Sequence, residues 1–231
     1  MFRESITHAG GVTKGTASEA HAMTTLRRAV RRGYQIEATR DGGALVTWTR
    51  RELSGGIAHR AVQFTPEMPV GALTESVIDD LRLIDDMRGA HYVENDNGRR
   101  IIRIGLLEIA PMITARLRAR RLVTDDGRDN VRITLTARLG LLATAHRTST
   151  TEPGGWSRPA DIGRQDWTAG LNRPGRRAGL INSTASHATC TCGQFTAVGG
   201  SRDEARALAR THRQAMATEF VTGLDPLTAT A

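Results

Sequence analysis

Two thiols stand one residue apart at Cys190 and Cys192, and His212 follows on a helix-forming stretch. Two thiolates with imidazole nitrogens make the donor set of a tetrahedral zinc ion, and four protein ligands leave no position for water, so such a centre is structural, not catalytic. His187, three residues before Cys190, completes the set of Cys190, Cys192, His212 and His187. The alternative is a buried thiol pair. A bridge between residues this close would constrain almost nothing in the unfolded chain, so the two cysteines are not a disulfide framework.

The elements that must hold these donors follow from the neighbouring residues. Ser201-x-x-Glu204 has the form of a capping box, and Ala205, Leu208, Ala209, His212 and Met216 recur at helical spacing, which turns His212 inward. A strand entering the cysteines, a short strand around Phe195 and a Gly199-Gly200 turn complete a ββα module over 187–222. Its apolar residues are too few for a core, the circumstance in which a metal replaces apolar burial. The Cys-x-Cys-Gly stretch with its distant His resembles small metal-binding tails of uncharacterised actinobacterial proteins, which implies a bound metal and names no activity. Residues 148–186, broken by Pro153-Gly154-Gly155, Arg158-Pro159 and Arg173-Pro174-Gly175, read as a linker, with Trp156 and Trp167 available for docking or for stacking on unpaired bases. Residues 223–231 read as a tail.

Several signals also agree on residues 110–143. Pro111 suits a first helical turn, Ile113 and Leu117 supply an apolar stripe, and Arg116, Arg118, Arg120 and Arg121 crowd the same helix. Leu122–Thr124 and Val131–Leu135 read as strands joined by Asp125–Asn130, and Thr136 is placed to cap a closing helix, with His146 near its end where it can meet the helix dipole. This helix, hairpin and helix, spelled ARLRARRLVTDDGRDNVRITLTARLGLL, resembles the second half of bacterial winged-helix regulators. The resemblance implies duplex DNA binding and transcription regulation, with the helix in the major groove and the hairpin wing on the backbone or minor groove. Arg116, Arg118, Arg120, Arg121 and Arg128 would inherit those contacts.

The remaining chain is read in order. Residues 1–15 are polar and Gly-rich and read as a disordered tail. Thr16-x-x-Glu19 has the form of a capping box for a helix to about Arg32, and strands follow at 34–39, 45–49 and 58–65 with an Asp41-Gly42-Gly43 turn between the first two. These make a helix-plus-sheet unit over 16–70. A helix over 71–88 carries Leu73, Val77, Leu81 and Ile84 on one face and Glu75, Asp79, Asp80, Asp85 and Asp86 elsewhere. That order of elements is shared with double-stranded RNA-binding domains, but such an acidic helix would repel phosphate. It could instead face a protein partner. His91–Glu94 and Arg99–Ile104 flank an Asn97-Gly98 turn, and residues 71–147 form the winged-helix-like unit.

The predicted class is therefore α+β, with an adaptor built around a zinc module as the alternative to a DNA-binding factor. The 231 residues carry a net charge of +8, which favours an anionic partner, although Lys14 is the only lysine and high-GC coding would itself enrich arginine. No nucleophile elbow or phosphate-cradling Gly-rich loop stands out, and an enzyme is not expected. Without an apolar leader or a long apolar run, a cytoplasmic protein with no membrane role is expected.

Overall fold

The computed structural model describes residues 1–8, 11–52, 55–71, 73–87, 89–151, 156–157, 181–182 and 185–224. Helices alternate with antiparallel sheets in an α+β fold. Two units result: Met1–Thr144 together with the described residues from Gln214 onward, and Ala145–Arg213.

The first unit begins with β1 (Phe2–His8), β2 (Gly11–Ala17), α1 (Glu19–Arg31), β3 (Gln35–Ala38), β4 (Ala44–Arg51) and β5 (Ile57–Pro66). The strands form one antiparallel sheet in the order β2-β1-β5-β4-β3. Alternation turns Phe2, Ile36, Ala44, Val46, Val62 and Phe64 into a common core with Ala22, Met23, Leu26 and Ala29 of α1. Burying a side chain as large as Phe64 contributes roughly 1.5–3 kcal/mol.

The disordered tail expected over 1–15 is corrected by the hairpin β1–β2. Phe2 anchors it, meeting the Phe64 ring edge-on at 6.2 Å. The strand character was hidden because β2 is a sheet edge, exposed at every position but Ala17, and so shows no apolar alternation. The helix cap also moves. Thr16 is a strand residue, and Ser18 caps α1 by accepting the His21 N–H at 3.1 Å.

Glu19 consequently turns to another helix, where its carboxylate accepts the Leu135 N–H. Burial raises its pKa above the ordinary 4.5, opposed by that hydrogen bond and by Arg138. The folded state therefore holds the Glu19 proton more tightly than the unfolded chain. Its contribution is full below the unfolded pKa and is lost as pH rises through the folded one. Glu19→Gln keeps an acceptor for Leu135 and is expected to raise the thermal midpoint at about pH 7 but not at about pH 4. A midpoint difference independent of pH would contradict the assignment.

The first unit continues with α2 (Glu75–Asp86), β6 (His91–Glu94), β7 (Arg100–Ile104), β8 (Leu107–Ile109), α3 (Pro111–Ala119), β9 (Val123–Asp125), β10 (Val131–Ile133) and α4 (Leu135–Ala145). A second core gathers Val77, Leu81 and Ile84 of α2 with Tyr92, Ile102, Ile104, Leu117, Val131 and Ile133. Thr134, not Thr136, caps α4 by accepting the Ala137 N–H at 3.3 Å. The helix α4 serves both cores, with Leu135 and Leu139 in the first and Ala137 in the second. Of the separate domains expected over 16–70 and 71–147, the described residues up to Thr144 lie in one unit, because α4 is apolar around most of its circumference, and 145–147 fall in the second.

The second unit contains β11 (Thr148–Thr150), β12 (Trp156–Ser157), β13 (Ile181–Asn182), β14 (Ser186–Cys190), β15 (Thr196–Gly199) and the opening part of α5 (Arg202–Gly223). Strands β11, β14 and β15 form a sheet in that order, and β12 pairs with β13. The expected linker 148–186 therefore holds strand residues at both ends, and the module expected over 187–222 begins earlier in the chain. Trp167 and residues 225–231 lie outside the described residues.

Candidate functional site

The strand β14 ends at Cys190, and a turn returns the chain through Cys192 and Gly193. Gly193 donates its N–H to the Cys190 carbonyl at 3.1 Å with φ of 75°, a conformation open to glycine at little cost. The Cys190 N–H is held by the Phe195 carbonyl at 3.1 Å. These bonds hold the Cys190 backbone and close the turn that carries Cys192. The Ser201 hydroxyl accepts the Glu204 N–H at 3.2 Å, while the Glu204 carboxylate accepts the Gly200 N–H at 2.7 Å, which starts α5 in register. Ala205 and Ala209 are buried on its inner face with Ala188, and His212 follows along the helix. The Phe195 ring stacks on the His212 imidazole, centroids 4.4 Å apart and planes 11° from parallel.

The fourth donor is His146, directly after α4. Thr191, the residue between the two cysteines, holds it there. Its hydroxyl donates to the Ala145 carbonyl at 2.8 Å and accepts the Arg147 N–H at 3.1 Å. The ligand atoms of His146, Cys190, Cys192 and His212 all lie within 4.8 Å of one another. Cys190 Sγ is 3.9 Å from His146 Nδ1, and Cys192 Sγ is 3.6 Å from His212 Nε2. Donors at ordinary zinc distances in a tetrahedron stand roughly 3.3–3.8 Å apart, so this group can hold a metal ion. Burial pushes the Cys190 thiol up, with the Cys192 side chain acting in the same direction. Burial pushes His212 down, aided by Arg213, which favours the neutral imidazole that ligates metals.

His187, expected as a ligand, is not in the group. Side chains alternate across a strand, and β14 buries Ser186, Ala188 and Cys190, so His187 faces the other side. His146, expected at a helix terminus, joins the group instead. Its proximity to the cysteines depends on pairing Thr148 with Cys190 across a long stretch of chain, for which the only local trace is the Thr of Cys-Thr-Cys.

In the first unit, α3 buries Thr114 and Leu117 and leaves Arg116 and Arg118 exposed. The Arg118 guanidinium lies 5.4 Å from the Tyr92 ring centroid, and Arg100 lies 4.2 Å from the same ring. Arg120 is partly buried, and Arg121 reaches Glu67 at 3.6 Å. Arg128 is exposed in the loop between β9 and β10, where its backbone N–H donates to Asp126 at 2.9 Å. Thus Arg116 is exposed and Arg118 is exposed beside the Tyr92 ring, whereas Arg120 and Arg121 are engaged. The three-stranded sheet β6–β8 precedes α3 directly. No helix among the described residues is long and apolar enough to cross a membrane. The chain matches no protein-family model, no curated protein and no solved structure.

Proposed function

We propose that the chain is a DNA-binding factor, of the kind that regulates transcription or assists it, whose second unit is folded around a structural zinc ion. The observation that carries the zinc reading is the convergence of His146, Cys190, Cys192 and His212 within 4.8 Å in a unit whose core cluster, among the described residues, is made of alanines. Two thiolates and two imidazoles suit zinc and close its coordination sphere against substrate. The metal would hold the turn at Cys190–Cys192 against α5 and the segment at His146.

Duplex DNA contact is assigned to α3 and the β9–β10 loop. It is supported by the exposed guanidiniums of Arg116 and Arg118 on a helix whose opposite side is buried, and by the net charge of +8. Arg120, Arg121 and Arg128 flank that surface. Replacing Arg116 and Arg118 together with Ala should weaken duplex binding and lower its log–log salt slope by about two, since each phosphate contact contributes about 0.9. An unchanged slope would remove α3 from the interface. The adaptor reading draws on the exposed Glu75, Asp79 and Asp86 of α2, and absence of any salt-dependent duplex binding would favour it.

A further inference from the structure

A second concentration of arginine in the first unit surrounds aromatic rings. Tyr34 stacks on Trp48, with centroids 5.0 Å apart and planes 8° from parallel. Both rings are half-buried and pack against the first core. Two open hollows, of about 640 and 540 Å³, share this pair as a wall, together with Arg32 and Thr49. His59 and Arg60 line the first hollow, and Arg28 and Arg50 line the second. Among the described residues no carboxylate lines either one. The smaller cavity of about 170 Å³ elsewhere in this unit is different in sign, with Glu19, Asp125 and Asp126 beside Arg132 and Arg138.

The cations here are available. Arg28, Arg32 and Arg50 are exposed and make no ion pair among the described residues, while Arg60 is paired with Glu52 at 3.6 Å. A strand edge is open at the same place. β3 pairs with β4 only from Ala44 to Thr47, and β4 continues through Trp48–Arg51 with β5 as its one partner among the described residues. Backbone groups and the exposed Thr49 hydroxyl therefore border the rings.

We propose that this surface binds single-stranded nucleic acid, with unpaired bases stacking against the Tyr34–Trp48 pair and Arg28, Arg32 and Arg50 holding phosphates. Every base has a π face, so such a platform tolerates many sequences. The faces of paired bases inside a duplex are covered by their neighbours and cannot reach half-buried rings. The site shares no residue with the duplex surface assigned to α3, so either assignment can fail alone.

The test uses the full-length protein and fluorescence anisotropy with labelled 12-mers of thymidine and of uridine, an abasic strand of equal length and a duplex, each over about 50–200 mM salt. Both base-bearing strands should bind, and the abasic strand should bind roughly tenfold more weakly or worse. Replacing Arg28, Arg32 and Arg50 together with Ala should weaken strand binding and lower its salt slope by about two, since single-strand phosphates contribute about 0.7 each. Trp48→Leu should weaken strand binding roughly tenfold while Trp48→Phe restores most of it, with thermal midpoints confirming that both variants fold. Replacing Arg116 and Arg118 should leave strand binding intact. Equal affinity for the abasic strand, or an unchanged slope in the triple arginine variant, would overturn the proposal.

Discussion

Chelation of the proposed zinc is expected to unfold β11, β14, β15 and the opening of α5 while leaving the β1–β5 sheet intact. Among its described residues the second unit's core cluster holds Ala188, Ala205 and Ala209, with Phe195 and Ala197 packed beside them. A buried methyl-sized group contributes about 0.8 kcal/mol, whereas fixing each residue's backbone costs about 1–2 kcal/mol. Those alanines cannot offset the ordering of a three-stranded sheet and a helix. Zinc in small structural sites supplies an apparent 10–16 kcal/mol or so, enough to reverse the balance. Hydrogen exchange should therefore show the amides of β14 and β15 losing their protection on chelation, with those of β4 and β5 unchanged. Cys190→Ser combined with Cys192→Ser should have the same effect without chelator. Protected β14 amides in metal-free protein would show that the unit stands on its own packing.

The second large effect is expected at Gly42. The turn Asp41-Gly42-Gly43 joins β3 to β4 and docks onto the second core, where Val70 donates its N–H to the Asp41 carbonyl at 2.9 Å. Gly42 has φ of 84°, and a Cβ there would overlap the Val70 side chain and lie 2.5 Å from the Thr136 carbonyl oxygen. Backbone strain and overpacking each cost about 1–3 kcal/mol, so Gly42→Ala should destabilise the first unit by about 3 kcal/mol or more. That corresponds to a midpoint lowered by roughly 6–12 °C. Gly98 separates the two causes, since its φ is 67° but no atom of the described residues lies within 4 Å of a Cβ built on it. Gly98→Ala should cost only the conformational part, about 1–2 kcal/mol. Equal thermal losses for the two variants would mean that the Gly42 turn is not packed as described.

What could be read from sequence was the local order of elements. Val77, Leu81 and Ile84 on α2, the Asn97-Gly98 hairpin and the succession α3, β9, β10, α4 each rest on periodicity or turn chemistry within a few residues, and the structure contains them. Long-range relations were not legible in the same way. Nothing near Leu135 and Leu139 says that they enter the core of a sheet built from the first 66 residues. Phe2 gives no hint of its role until Phe64 is placed against it.

The metal group divides along the same line. Cys190, Cys192 and His212 belong to one ββα segment, and their types and spacing were sufficient to group them. His187 is near Cys190 in sequence, but an odd offset along a strand places it on the opposite face. His146 enters from the far side of the poorly apolar 148–186 stretch, through β11 pairing with β14 and the Thr191 hydrogen bonds.

X-ray absorption at the zinc edge, on purified full-length protein with its metal content measured beside it, tests the central assignment most directly. The predicted result is about one zinc per chain, with two sulfurs near 2.3 Å and two imidazole nitrogens near 2.0–2.1 Å. His146→Ala should remove one nitrogen from that shell, and His187→Ala should leave it unchanged. A metal-free protein, or a shell that loses a nitrogen with His187 and not with His146, would contradict the site.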